Sequence, residues 1–277
     1  MLSVKDNTVI NISSENLNID DITSEFNSEV INYVNIGKQS YMSAWKLQKK
    51  FHHLIKNDKI PSIVLFLEHE NVYTLGKNAD KNYLLNTFPD IDVIDTDRGG
   101  EITYHGPGQL VGYPIINLNK YNKSITWFIR SLEKVIINTL SKFDIEGNRK
   151  DDFPGVWVDD EKICAMGVRI AQWVTMHGFA LNVNPDMKYF DGMIPCGILD
   201  YGVTSMINNT DKSIDPEDII EVWDDSIHLD FMKNVDLAII FDIGDYKRLE
   251  SIYKNIGNIC YLTIHQYLSV YSYSAQA

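Results

Sequence analysis

Long apolar runs are missing: no stretch reaches the eighteen or so apolar residues that a membrane-spanning helix needs. Cysteine is scarce. Cys164, Cys196 and Cys260 are the three copies, without short metal-type spacing, so neither a disulfide framework nor a metal site is expected. Basic residues are outnumbered, 25 against 38 acidic, for a net charge of −13. The deficit sits in the flanks: residues 1–29 hold one Lys against six acids and residues 211–232 one Lys against eight, while residues 30–210 carry 19 bases and 20 acids. A chain without a basic face is a poor partner for nucleic acid. The N-terminal MLSVKDNTVINISSENLNIDD lacks the basic start and apolar stretch of a secretory signal and is too acidic for a mitochondrial presequence. A cytoplasmic protein with reduced thiols, binding neither membrane nor nucleic acid, is the expectation.

What is present is enough for one large globular domain with appendages: 277 residues, 44% of them apolar. Residues 1–29, rich in Asn, Ser and acids, read as a flexible lead-in. Tyr41, Ala44, Trp45, Phe51 and Ile55 recur at helical spacing, with Gln48 as a polar exception, and this helix stops near Asn57 ahead of Pro61. SIVLFLEH and VYTLG are runs of strand length. Between Asp97 and Leu118 the chain is dense in Gly and Pro with β-type residues between them, as strands joined by tight turns require. Residues 124–143 carry Ile125, Phe128, Leu132, Val135, Ile136, Thr139, Leu140 and Phe143 on one helical face. GVWVDDEKICAMGVRI reads as a hairpin turning at Asp159-Asp160, and WVTMHGFALNVN as a further strand. A helix over residues 216–231, opened by Asp215-Pro216, is expected next. The fold class is therefore α/β of the α+β type, a mixed and largely antiparallel sheet flanked by helices. Residues from Lys233 onward receive no role.

Several side chains carry potential chemistry. Cys196 is held between Pro195 and Gly197, a setting that presents a thiol at a fixed place, though a buried structural thiol reads the same way. Lys162 lies on a hairpin arm among apolar neighbours. Cys164, two residues on, is placed by strand alternation on the same face, which makes it a rival nucleophile. His105 and His177 each precede a Gly and suit either a general base or a satisfied core position. Arg98-Gly99-Gly100 and the following Tyr104-His105-Gly106-Pro107-Gly108 can cradle an anion or a pantetheine-like chain, or simply turn at sheet corners. They lack the Lys-Ser/Thr ending of a phosphate-binding P-loop.

Together these segments resemble the octanoyl-carrier-protein:protein N-octanoyltransferases, or lipoate-protein ligase B family, of the biotin/lipoate ligase-like superfamily. The resemblance rests on HENVYTLGK (69–77), RGGEITYHGPGQLVGYPIINL (98–118), GVWVDDEKICAMGVRI (155–170), WVTMHGFALNVN (173–184), IPCGI (194–198) and YGVTSM (201–206), in that order. It covers roughly residues 30–232 as a catalytic domain, leaving 233–277 as a C-terminal extension. It implies a biotin/lipoyl ligase-like fold and an acyl-accepting thiol on Cys196, with Lys162 as the lysine that favours its thiolate. Substrate contacts fall on Arg98, Gly99, Gly100, Glu101, Ile102, Thr103, Tyr104 and His105, on Ala165, Met166 and Gly167, and on Gly178, Phe179 and Ala180. No cofactor is implied. The implied donor is octanoyl-acyl carrier protein; the implied acceptors are lipoyl domains of 2-oxoacid dehydrogenase E2 subunits and the glycine cleavage H protein. An ATP-dependent lipoate or biotin ligase and a non-catalytic acyl-carrier-binding module are the alternatives. Cys164 departs from the family pattern, where a small residue such as Ala is expected.

Overall fold

The computed structural model describes residues 10–11, 19–28, 31–85, 88–89, 91–194, 201–214 and 219–220. Strand β3 (Ile63–His69) shows how this sequence builds its core. Its side chains alternate between two apolar clusters: Ile63, Leu65 and Leu67 enter one, Val64 and Phe66 the other. A strand buried on both faces reads as the continuous apolar run seen in the sequence.

Helix α2 (Tyr41–Lys56) covers the first face with Ala44, Leu47, Phe51 and Ile55; Ser40 caps its start by accepting a hydrogen bond from Ser43 N. Helix α3 (Ile125–Lys142) covers the second with Phe128, Leu132, Val135, Ile136 and Leu140, capped by Ser124 in the same way. Fully burying each such side chain stabilises the fold by about 1.5–3 kcal/mol. Both helices match the apolar spacing that announced them.

The strand order of the large sheet is β1 (Ile10–Asn11), β2 (Asn32–Gln39), β3, β7 (Gln109–Ile115), β10 (Val174–Asn182), β9 (Glu161–Ala171) and β11 (Gly202–Val203), with β8 (Gly155–Val158) also on β9. Parallel pairs join β1 to β2, β2 to β3 and β11 to β9; the others are antiparallel. A second sheet places β4 (Val72–Leu75) between β5 (Asp92–Asp95) and β6 (Ile102–His105). This mixed architecture agrees with the expected class. Hairpin β9–β10 turns at Gln172-Trp173, both with positive φ (53° and 61°), the twist two-residue hairpins favour.

Part of the expected lead-in packs on the fold. β1 extends the sheet, and helix α1 (Ile19–Thr23) buries Ile22 while Phe26 sets its ring 6.3 Å from that of Phe51. Ile22 and Phe26 both join the apolar cluster beneath α2, a contact that composition averaged over 29 residues hides. The helix expected over 216–231 falls, except for Ile219 and Ile220, outside the described residues, as does 233–277. Among the described residues no helix is long and apolar enough to cross a membrane.

Candidate active site

The centre of the sheet opens into a pocket of about 390 Å³ between β9, β10 and the loop that carries Arg98. Glycine makes this possible. Gly99 N donates to Val168 O (2.9 Å), laying the loop on β9, and a Cβ on Gly167 would stand 2.8 Å from Gly99 O. Backbone approaches that close exclude any larger residue. Arg98 is buried and directed inward, donating to Thr74 O (2.6 Å), Thr74 Oγ1 (3.0 Å) and Gly99 O (3.0 Å). Its guanidinium thus fixes the loop while leaving a cation beside the pocket.

Most residues singled out from sequence meet here. Arg98, Gly99, Gly100, Glu101, Ile102, Thr103, His105, Lys162, Ala165, Met166, Gly167, Gly178, Phe179 and Ala180 all line the pocket. Tyr104 does not: alternation along β6 turns its ring into the small sheet's own core, where Oη donates to Asn71 Oδ1 (2.8 Å) and the ring stacks on Tyr189. Cys196 lies outside the described residues.

Lys162 is 6% exposed, with Nζ donating to Pro154 O (3.3 Å) and lying 4.6 Å from the Trp157 ring centre. The segment that holds Pro154 is itself anchored. Glu133 of α3, wholly buried, accepts from Gly155 N (3.1 Å) and pairs with Arg130 (2.9 Å) and Arg149 (3.1 Å).

Cys164 is not on the Lys162 face. Opposite Val156-Trp157 stand Cys164 and Lys162, so Ile163 is an extra residue, a β-bulge. The bulge reverses the alternation. Cys164 and Val156 enter the core beneath α3, while Lys162 and Trp157 meet on the other side. Burial pushes the Cys164 thiol far up from its ordinary pKa, against a smaller opposing pull from the Lys162 charge.

Three histidines surround the end of the pocket remote from Lys162. His177 Nε2 donates to Asp97 Oδ1 (2.8 Å), and Arg169 holds the other Asp97 oxygen (3.3 Å). Burial lowers the His177 pKa despite that carboxylate, so the imidazole is neutral at pH 7 and the contact is a hydrogen bond. The His177 hydrogen bond depresses Asp97 in turn. His177 has φ +56° and donates its N–H to Gln48 Oε1 (2.8 Å), out of the regular ladder. His105 bonds Gln109 Oε1 through Nδ1 (3.2 Å), and burial drives its pKa well down. His69 donates Nδ1–H to Gln39 O (3.0 Å) and accepts from the Tyr113 hydroxyl (2.6 Å); burial takes it from 6.5 to about 4. Both His105 and His177 are thus pocket-lining and internally bonded.

The sequence reading missed Tyr41, Tyr113, Asp97, Glu133 and Pro154 as contributors. One signal existed: Gln48 breaks the apolar face of α2, and its carbonyl proves to hold the irregular backbone at His177. The others act through tertiary contacts, such as Glu133 with Gly155 or Asp97 with His177, which no local pattern reports.

With this geometry, the resemblance to known proteins is direct. Residues 40–228 match the family described as the lipoyl protein ligase A/B catalytic domain. The octanoyltransferase of Gloeobacter violaceus is 45% identical over 164 residues, 58% of this chain and 73% of that protein. The mitochondrial octanoyl-[acyl-carrier-protein]:protein N-octanoyltransferase of Danio rerio is 42% identical over 195 residues, 68% of this chain and 86% of that one. Among solved structures, a putative lipoate protein ligase from T. acidophilum with bound lipoic acid superposes with a TM-score of 0.54 at 15% identity, covering 70% of this chain and 84% of that one, a likeness of fold. The chain belongs to the lipoyl protein ligase A/B catalytic-domain family and, within it, to the octanoyltransferases.

Proposed function

We propose that this octanoyltransferase moves its acyl group in two steps through a thioester on Cys196, with Lys162 as the proton carrier. The observation that carries the reading is the buried Lys162 lining the pocket, beside the described segments on either side of Cys196 in the sequence. Val203 pairs with Lys162 across β11 and β9, and Thr204 N donates to Lys162 O (3.1 Å). On the other flank, Met193 joins Val203, Lys162 and Ala165 around a small recess.

The donor is octanoyl-acyl carrier protein. The Cys196 thiolate attacks the thioester carbonyl, forming a carbon–sulfur bond; the bond to the carrier's sulfur breaks, and that sulfur leaves as a thiol with a proton from Lys162. A lysine amine of a lipoyl domain then attacks the acyl-enzyme. An amide forms, the Cys196 thiolate departs, and Lys162 recovers its proton from the amine. The cycle closes without ATP, because a thioester is exchanged first for a thioester and then for an amide. Residues 30–232 form the catalytic domain, and Arg98–Thr103, His105, Ala165–Gly167 and Gly178–Ala180 hold the acyl chain. E2 subunits of 2-oxoacid dehydrogenases and the glycine cleavage H protein are the acceptors.

The test is the intact mass of the protein after incubation with octanoyl carrier protein, followed by peptide mapping. One octanoyl group on Cys196, absent from Cys196→Ala together with all transfer, is expected; transfer by Cys196→Ala at near-normal rates would sink the mechanism. Lys162→Ala should slow acylation most near neutral pH and least above about pH 8.5, where a cysteine ionises unaided. An equal loss at every pH would remove Lys162 from thiol activation.

A further inference from the structure

The Lys162 ammonium lies against an aromatic face. Trp157 stands opposite Lys162 in the β8–β9 pairing, and Nζ sits over its ring, 4.6 Å from the centroid. Trp157 is fixed through backbone and ring alike. Its N–H donates to Asn148 O (2.9 Å) and its C=O accepts from Asn148 N (2.7 Å). Its Nε1–H donates to Phe153 O (3.2 Å), and its ring makes T-shaped contacts with Phe153 and Tyr201, centroids 6.4 and 5.3 Å away. Through Phe153 the indole also steadies the neighbouring Pro154, whose carbonyl accepts from Nζ (3.3 Å). One side chain thus shapes two of the contacts that place the ammonium. Trp157 and Lys162 are both buried, which puts their contact at the strong end of cation–π interactions. Lys150 lies near the same ring (5.1 Å), but it sits closer to the Tyr201 ring (4.0 Å) and pairs with Asp160 (2.5 Å).

An indole suits this lysine in a way a carboxylate does not. A carboxylate against Nζ would cancel the positive field that favours a nearby thiolate. The face of an indole attracts the ammonium, carries no net charge and takes no proton. Glu133, the carboxylate behind this segment, is committed to Gly155 N and two arginines. Position is what the ring supplies. The attraction between two charges falls with their separation, so an ammonium free to swing away supports a thiolate less.

We infer that Trp157 is a positioning residue for acyl transfer: its indole face holds the Lys162 ammonium where it supports the thiolate, and the rate of enzyme acylation follows the electron density of that face. The inference rests on the reading of Cys196 and Lys162 as the acyl-transfer pair.

The test installs mono-, di- and trifluorotryptophan at position 157 of the full chain. Each keeps the shape and the Nε1–H of the indole while draining its face. Single-turnover octanoylation from octanoyl carrier protein is followed by intact mass, together with the carrier concentration that gives half the maximal rate. The acylation rate is expected to fall with each fluorine, by about tenfold across the series, within the range of a desolvated cation–π contact. The half-saturating concentration should not move. In a Lys162→Met chain, where no cation remains to be held, tryptophan and its three analogues should give one rate. A rate indifferent to fluorine in the chain that keeps Lys162 overturns the proposal. So does an equal fall in Lys162→Met, which would reduce Trp157 to packing. Octanoylation of the unfluorinated chain separates the two readings: if no octanoyl-Cys196 forms, the proposed function fails, whereas if it forms at a rate that ignores fluorine, the role of Trp157 fails alone.

Discussion

Glu133 shows how a single buried charge organises the site without touching substrate. A carboxylate with no exposed surface survives in a core only when its desolvation is offset, here by two guanidinium groups and a backbone N–H. Through Gly155 it holds the Pro154 carbonyl that receives Lys162. Removing it leaves the Gly155 amide unpaired beside an empty space, while Arg130 keeps Asp151 and Arg149 keeps the Arg130 carbonyl. Glu133→Ala is expected to cost about 1–3 kcal/mol, the penalty for a buried N–H left without its acceptor, since the two partly exposed arginines keep other partners. Glu133→Gln, which keeps an acceptor for Gly155 N, should lose less. Urea unfolding of the three proteins decides it, and equal stability of Glu133→Ala and wild type would show that the Gly155 amide finds another acceptor.

The β8–β9 hairpin carries a lesson about how far strand patterns can be read. Its arms and its turn at Asp159-Asp160 were legible from β-type residues around a polar pair, as were α2 and α3 from their apolar spacing. The side on which Cys164 falls was not, because one inserted residue at Ile163 reverses every facing beyond it. A bulge leaves no mark in composition. The consequence is testable: buried beneath α3 with its thiol pushed well above the ordinary range, Cys164 is a packing residue and not a second nucleophile. Native protein treated with a thiol reagent should stay unmodified at Cys164, and Cys164→Ala should retain transfer with the small stability loss of a minor cavity. Peroxide should inactivate wild type and Cys164→Ala alike. Rapid loss reversed by dithiothreitol in the wild type alone would instead place Cys164 in a redox switch.

Across the whole molecule, the pocket's lining was largely legible because the Gly-rich loop and the two central strands are contiguous blocks of sequence. The polar cluster behind it was legible only at His105 and His177, since its members come from four separate stretches, around Tyr41, around His69, between Asp97 and Tyr113, and around His177, and meet only when the sheet closes. That cluster makes a prediction about acid. Burial depresses all three imidazoles, so the fold keeps them neutral where the unfolded chain binds protons. Stability is therefore whole above pH 6.5 and declines as pH falls toward the folded-state values. His69 alone, moved from 6.5 to about 4, withdraws about 3 kcal/mol over that interval. His105 and His177 act in the same direction. The chain's excess of acid works the other way only at lower pH, since most carboxylates stay charged above pH 5 and their mutual repulsion is screened at physiological salt. Asp97, depressed by its hydrogen bond to His177, adds its own loss only at still lower pH. The urea midpoint should fall steadily from pH 7.5 to pH 5 with the slope of unfolding unchanged. A midpoint that holds constant or rises across that range would mean that the three histidines take up protons in the folded state as readily as in the unfolded one.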